Sequence, residues 1–108
     1  MKLVILESPY AGSVADNKTY ARACVRDSLE RGEAPIASHL LYTQPGILDD
    51  TDPDERAQGI ASGLAWLKKA DASVFYVDQG ISDGMLQGML DAQEWGVPIK
   101  LRKLKTKP

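Results

Sequence analysis

The chain has 108 residues, of which 44% are hydrophobic, with a formal net charge of −2 and an isoelectric point near 5.3. This size and composition predict a single folded domain over residues 1–108 and exclude a disordered chain. The small negative charge gives no reason to expect nucleic acid as a partner, and no apolar run approaches the roughly 20 residues that span a bilayer. The only cysteine, Cys24, excludes an internal disulfide and fits a reducing, cytoplasmic location.

Four short apolar runs predict β-strands over Lys2–Leu6, Ala34–Ala37, Ser73–Val77 and Val97–Leu101. Their nearly continuous hydrophobicity is typical of strands that are covered on both faces, as in a parallel sheet. Helical patterns alternate with these strands. The alternation predicts an α/β fold, namely a three-layer sandwich around a mostly parallel sheet of four or five strands, similar to the flavodoxin or Rossmann folds.

Three helices are predicted from periodicity and from end signals. The first ends at Gly32 and buries a face formed by Ala21, Cys24, Val25, Ser28 and Leu29, with Cys24 as inert core. The third runs from about Ser82 to Trp95 and ends at Gly96. Both tryptophans, Trp66 and Trp95, are expected in the core between helices and sheet.

The second helix has a start signal in the segment "DPDER". Asp52 is the expected N-cap, Pro53 occupies the first helical position, and Glu55 closes a capping box. The helical spacing then predicts a buried face that is formed by Ala57, Ile60, Ala61 and Leu64.

Three segments follow strands at the carboxyl edge of the predicted sheet, where open parallel sheets bind ligands: Glu7–Asn17, Ser38–Gln44 and Asp78–Met85. They contain tyrosine rings for stacking, hydroxyl and glycine backbone groups for an anion, and side chains that hydrogen-bond a sugar or base. The long connection Ser38–Asp50 also has a length that is usually functional in a compact domain. The predicted ligand-binding residues are Tyr10, Gly12, Ser13, His39, Tyr42, Asp78, Gly80, Ser82, Gly84, Met85 and Gly88.

The sequence predicts neither a metal nor a cofactor. One histidine and one cysteine do not supply a zinc site, and helix capping already explains the acidic segment before Pro53. Neither the P-loop nor the three-glycine dinucleotide fingerprint occurs in the sequence.

The order of "SPYAGS", "LAWLKKADASVFYV" and "GISDGM…A…GVPI" resembles the nucleoside 2-deoxyribosyltransferase-like superfamily. The segment "ASHLLYTQPGILDDTDPDER" is most similar to small phage-associated domains of unknown function in that group. The resemblance implies a flavodoxin-like or Rossmann-like fold, a nucleoside or nucleotide pocket, and a site often shared between subunits. A homodimer or a dimer-based oligomer is therefore expected.

The chain departs from this family at two positions that matter for catalysis. The resemblance implies a nucleophilic glutamate four residues after Gly84, where this chain has Gly88, and an aspartate three residues before Trp66, where it has Gly63. If both carboxylates are lost, the pocket gains space and loses negative charge, which favours holding an anionic ligand. Alternatively, Gly84 and Gly88 form a seam where helices or subunits approach closely.

These observations leave three classes of function open. The first is non-catalytic binding of a nucleotide-like small molecule, in one version a phage anti-defence protein that sequesters a cyclic ADP-ribose isomer or a cyclic dinucleotide. The second is an N-glycoside hydrolase or 2-deoxyribosyltransferase with relocated carboxylates, for which the candidates are Glu7, Asp78, Asp83 and Asp91. The third is a structural or protein-interaction module.

Overall fold

The computed structural model describes residues 1–10 and 12–105. In chain order its elements are β1 (Leu3–Glu7), α1 (Val14–Glu30), β2 (Ala34–Ile36), α2 (Ser38–Leu41), α3 (Pro53–Leu67), β3 (Ala72–Tyr76), α4 (Asp83–Glu94) and β4 (Ile99–Arg102). The strands form one parallel sheet in the order β2-β1-β3-β4. The predicted α/β fold with a parallel sheet is confirmed. The four-residue helix α2 was not predicted and lies in the long connection after β2.

The side chains of the central strand β1 alternate between the two faces of the sheet. On one face they pack against α1 in a cluster that includes Val4, Leu6, Tyr20 and Cys24. On the other face they pack against α3 and α4 in a cluster that includes Ile5, Leu67 and Ala92. Because residues two apart in a strand share a face, Glu7 lies on the same side as Ile5, toward α3 and α4.

The helix ends largely follow the signals in the sequence. At the start of α3, the Asp52 carboxylate accepts hydrogen bonds from the N–H groups of Asp54 and Glu55 at 2.9 and 3.3 Å. Glu55 does not close the predicted capping box, because its carboxylate accepts from the Asp49 N–H at 3.2 Å. After α4, Gly96 has a φ of +67°, a left-handed conformation that commonly ends helices.

Part of the predicted helix packing is wrong. In α1, Cys24 and Ser28 are buried as predicted, but the Leu29 side chain is 56% exposed. In α3, Ala57 and Ala61 are exposed, and so is Ile60, at 62%. The helix buries Leu67 at its C-terminal end instead. Amphipathic spacing predicted contact with the sheet along the whole of α3, whereas its N-terminal part borders a cavity.

The two tryptophans lie at the surface rather than in the predicted core. Trp66 and Trp95 are 49% and 47% exposed. The Trp66 indole N–H donates a hydrogen bond to the Tyr42 hydroxyl at 2.8 Å, which joins α3 to the residue after α2. The Lys68 ammonium lies 4.3 Å from the centroid of the Trp95 ring. Each indole therefore has a polar or cationic partner at the surface, as is usual for half-buried tryptophan.

Ionic groups tie β4 and the segment after it to the α1 side of the sheet. Both nitrogen atoms at the end of the Arg102 guanidinium donate to the Glu33 carboxylate, at 2.7 and 2.9 Å. Asp27 accepts hydrogen bonds from the Tyr76 hydroxyl at 2.6 Å and from the Lys105 N–H at 3.1 Å.

Within the described residues, no helix combines the length and apolar character needed to cross a membrane.

Candidate functional site

A cavity of about 850 Å³ opens at the carboxyl end of β1. Its walls come from the end of β1 and the loop that follows, from α2, from α3, and from α4. The chain leaves β1 toward β2 on one side and later returns to β3 on the other side. The cavity thus lies at the point where the strand order reverses, which is where open α/β sheets bind ligands.

The structure brings eight of the eleven predicted ligand-binding residues to this cavity: Tyr10, Gly12, His39, Tyr42, Ser82, Gly84, Met85 and Gly88. Ser82 also accepts a hydrogen bond from the Met85 N–H at 3.2 Å and so caps α4. The other three, Ser13, Asp78 and Gly80, are not among the residues that line it. The Ser13 hydroxyl donates to the Asp16 carboxylate at 2.9 Å, next to the start of α1.

Asp78 has a structural position outside the residues that line the cavity. Its carboxylate accepts hydrogen bonds from the Tyr20 hydroxyl at 2.6 Å and from the Leu104 N–H at 3.1 Å. Burial and the hydrogen bond to Asp78 raise the pKa of Tyr20 above its ordinary value. Asp78 thereby holds α1 and the segment after β4 together, on the opposite side of the sheet from α3 and α4.

Gly88 is a glycine because the Glu7 side chain occupies the space beside it. A Cβ atom at position 88 would collide with the Glu7 carboxylate, and it would lie 3.2 Å from Glu7 Cδ and 3.3 Å from Phe75 Cε2. Glu7 and Phe75 are directly paired in the sheet. The interpretation that Gly88 enlarges the pocket and removes negative charge is therefore wrong, because β1 supplies a carboxylate at this place.

The Glu7 carboxyl group is buried, and it loses its proton only when the pH approaches neutrality. Burial, reinforced by the negative charge of Asp91 on α4, raises the pKa of Glu7 from 4.5 to about 7. Both residues line the cavity. Burial beside a second carboxylate is a common cause of a raised carboxyl pKa in active sites.

His39 contributes a second buried polar group to the cavity wall. Its Nε2 atom lies 2.6 Å from the Ser8 hydroxyl, and its Nδ1 atom is buried without a hydrogen-bond partner among the described residues. Burial lowers the pKa of His39 to about 4, so the ring is neutral at pH 7. A neutral imidazole has one nitrogen that donates and one that accepts, so Nδ1 is an unused donor or an unused acceptor according to the tautomer.

Two other helical glycines were singled out from the sequence, Gly63 and Gly84. A Cβ atom at Gly63 would lie 2.7 Å from the Ser38 hydroxyl, so this glycine allows α2 to pack closely on α3. At Gly84, a Cβ atom would meet Ser82 Oγ at 3.9 Å, which is an ordinary contact. Of the three helical glycines singled out from the sequence, Gly63 and Gly88 thus accommodate a neighbouring side chain of the same protomer, and Gly84 leaves open space in the cavity wall.

The cavity lining is strongly acidic. Five of its described residues carry a carboxyl group, and Arg56 is the single lysine or arginine among them; the acidic residues are Glu7, Asp50, Glu55, Asp83 and Asp91. Such a lining favours hydrogen-bond donors on a ligand and disfavours a highly charged anion. This charge differs from the anion-binding pocket that the sequence suggested.

A scan against known protein families matches residues 2–102 to a family described as a domain of unknown function, DUF7768. The chain belongs to this family. A search of curated proteins finds no match. Among solved structures, the chain is similar to a 2-deoxyribosyltransferase from the psychrotolerant bacterium Bacillus psychrosaccharolyticus. The TM-score is 0.73 and the identity 14%, over 98% of this chain and 75% of the enzyme. At this identity the similarity establishes a shared fold.

Several cavity residues of this DUF7768 chain were not among the predicted ligand-binding residues. Ser8, Ser38, Asp50, Glu55 and Arg56 are examples. Ser8 follows directly on β1, so its position at the carboxyl end of a strand was a usable signal. Ser38 lies in a segment that follows β2, so the same signal applied to it, whereas Asp50, Glu55 and Arg56 depend on how α3 folds back toward β1, which no local pattern predicts. Within the described part of the chain, no group of three or more His, Cys, Asp or Glu side chains is arranged to hold a metal ion.

Proposed function

We propose that this chain binds a nucleoside in the cavity at the carboxyl end of β1. The observation that carries the proposal is the combination of Tyr10 and Tyr42 with an excess of carboxylates in one cavity. Tyrosine rings stack on a planar base, whereas carboxylates accept hydrogen bonds from sugar hydroxyls and exocyclic amines. A cavity of about 850 Å³ is within the usual range for small-molecule sites.

The fold points to the same class of ligand. The structurally similar enzyme is described as a 2-deoxyribosyltransferase suited to the synthesis of nucleosides. Because fold alone does not determine function, this similarity supports the proposal only together with the chemistry of the cavity. The acidic lining adds a restriction: one arginine, Arg56, faces five carboxyl groups, so each phosphate on a ligand costs electrostatic free energy.

Sequestration of a nucleotide-derived immune signal is a narrower version of binding, and it rests on the resemblance to phage-associated domains. Cyclic ADP-ribose isomers and cyclic dinucleotides each carry two phosphates, which the acidic lining disfavours. The favoured ligand is accordingly a nucleoside without phosphate. Nucleosides and cyclic nucleotides are therefore compared in the same binding experiment.

The test is a titration by isothermal calorimetry, with nucleosides, their 5′-monophosphates and cyclic dinucleotides added to the purified protein. We expect at least one nucleoside to bind more tightly than its own monophosphate. The double variant Asp50→Asn/Glu55→Gln should bind the monophosphate more tightly, so that the difference in affinity between nucleoside and monophosphate becomes smaller. Glu30→Gln is the control, because Glu30 is an exposed residue at the end of α1. Absence of binding by every nucleoside would refute the proposal.

A further inference from the structure

We propose that Glu7 and Asp91 cleave the N-glycosidic bond of the bound nucleoside, with Glu7 as the proton donor to the departing base. This inference rests on the proposed function, because it requires a nucleoside in the cavity. It differs from the expectation of a non-catalytic site, which followed from the glycines at positions 63 and 88. Glu7 at the end of β1 brings a carboxyl group to the place where α4 has Gly88 and therefore has none.

The position of Glu7 is the first argument for this role. Glu7 ends the central strand, on the face that α3 and α4 cover, and its carboxylate stands beside Gly88 within the cavity lining. Its Cδ atom would lie only 3.2 Å from a Cβ atom at position 88. In the described residues, no lysine or arginine forms a salt bridge with Glu7. A carboxyl group that is enclosed without a cationic partner destabilises the folded state when it ionises, which is common for reacting groups.

The second argument is chemical. A nucleoside has one bond that acid readily opens, between the anomeric carbon and the base nitrogen, and pairs of carboxyl groups catalyse the related cleavage of glycosides. A general acid works best with a pKa close to the working pH, and burial together with Asp91 gives Glu7 a pKa of about 7. The Asp91 carboxylate, which accepts a hydrogen bond from the Gln87 side-chain amide at 3.0 Å, lines the same cavity and can stabilise the positive charge that develops on the sugar.

The proposed reaction balances with water as the co-reactant. The Glu7 carboxyl proton moves to the base as the carbon–nitrogen bond breaks, and the electron pair of that bond stays on the base nitrogen. The Asp91 carboxylate stabilises the cationic sugar. Water then adds to the anomeric carbon and gives one proton to the Glu7 carboxylate, which restores the starting state. The products are free base and free pentose.

The experiment measures base release by chromatography from a panel of ribonucleosides and 2′-deoxyribonucleosides, alongside binding by calorimetry. Wild-type protein should release base from a nucleoside that it binds. Glu7→Gln should lower that rate by about 100-fold or more, with nucleoside affinity changed much less. Glu94→Gln is the control, since Glu94 lies exposed at the end of the same helix and outside the cavity lining.

A rescue variant distinguishes a requirement for a carboxyl group at this place from a general loss of structure. Glu7→Gly combined with Gly88→Glu moves the carboxyl group from β1 to α4, into the same part of the cavity. We expect this pair to regain activity relative to Glu7→Gly alone. If nucleosides bind but wild type releases no base, or if Glu7→Gln keeps the wild-type rate, this inference is overturned while nucleoside binding stands. If no nucleoside binds, the proposed function itself fails.

Discussion

The carboxyl group of Glu7 fills the space that a side chain at position 88 would need. One residue ends β1 and the other lies inside α4, so the floor of the cavity is built from two distant parts of the chain. The glycine and the carboxylate are complementary in volume. A change at either position therefore has consequences at the other.

We expect Gly88→Ala to destabilise the protein by about 1–3 kcal/mol, because the added methyl group meets the Glu7 carboxylate and the Phe75 ring. A helical Gly→Ala change normally stabilises by up to about 1 kcal/mol. Gly84→Ala is the matched control and should show that gain, since a Cβ atom there makes only an ordinary contact. Urea denaturation of both variants measures the difference.

The same substitution in a Glu7→Ala background should become stabilising, because the carboxylate that it meets is absent. A double-mutant cycle gives the coupling free energy between the two positions. Additive effects of Glu7→Ala and Gly88→Ala would contradict the packing relationship that the structure shows.

The pKa of Glu7 predicts how stability depends on pH. Because this pKa rises from 4.5 to about 7 on folding, the folded state binds an extra proton between these pH values. The free energy of unfolding contributed by Glu7 is therefore highest below pH 4.5 and falls by about 3 kcal/mol as the pH rises through 7. Glu7→Gln should remove this fall and leave a variant that is more stable than wild type at pH 8.

Denaturation of wild type, Glu7→Gln and Glu94→Gln at intervals from pH 4.5 to pH 8 tests this expectation. The difference between wild type and Glu7→Gln isolates Glu7 from other groups, including Glu33, whose pKa the hydrogen bonds from Arg102 lower. Glu94→Gln should follow the wild-type curve. Parallel curves for wild type and Glu7→Gln would show that Glu7 titrates at its ordinary pKa.

The sequence predicted the sheet and most helix ends because those signals are local. Continuous apolar runs located the strands, and Asp52 with Pro53 located the start of α3. The reason for Gly88 could not be found this way, since it depends on a contact with Glu7 that only the folded chain creates. For the same reason, the exposed Ile60 was assigned to a buried face: spacing shows that a helix has an apolar side, not what covers it.

The bidentate ion pair between Arg102 and Glu33 should make a large contribution to stability. Glu33 is 9% exposed, so Arg102→Ala leaves a buried carboxylate without its cation, which costs about 3–5 kcal/mol. Arg26→Ala is the comparison, because its ion pair with Glu30 is exposed and should contribute about 0.5 kcal/mol or less. Equal losses in thermal denaturation would show that the Arg102 pair behaves as a surface interaction.

We expect His39 to contribute to ligand affinity rather than to the stability of the fold. Its buried Nδ1 atom has no hydrogen-bond partner among the described residues, so a polar group of a bound nucleoside can satisfy it. His39→Ala should weaken nucleoside binding by about 1–3 kcal/mol while the melting temperature of the free protein changes little. Ser8→Ala, which frees the ring from its 2.6 Å contact, should weaken binding less. A parallel loss of stability in the free protein would identify His39 as a structural residue.

We also expect a homodimer, through the outer side of α4. Met85 does not contribute to such an interface, because it is 1% exposed and packs inside the protomer. Leu86 and Leu90 are the exposed apolar residues of this helix, at 49% and 59%. Light scattering at micromolar concentration should give a molecular mass of about twice 11.8 kDa, and Leu90→Lys should lower this mass toward that of the monomer. A wild-type mass near 11.8 kDa would refute the dimer.

The place of β1 in the middle of the sheet has a consequence for biosynthesis. Its first neighbour, β2, begins at Ala34, but its second neighbour, β3, begins at Ala72. A growing polypeptide therefore carries β1 with one edge unpaired while residues 37–71 are translated. Nascent strands with open apolar edges are exposed to aggregation and to chaperones, and their late pairing slows folding. Glu7 is translated well before α4, and it is enclosed only when α4 arrives.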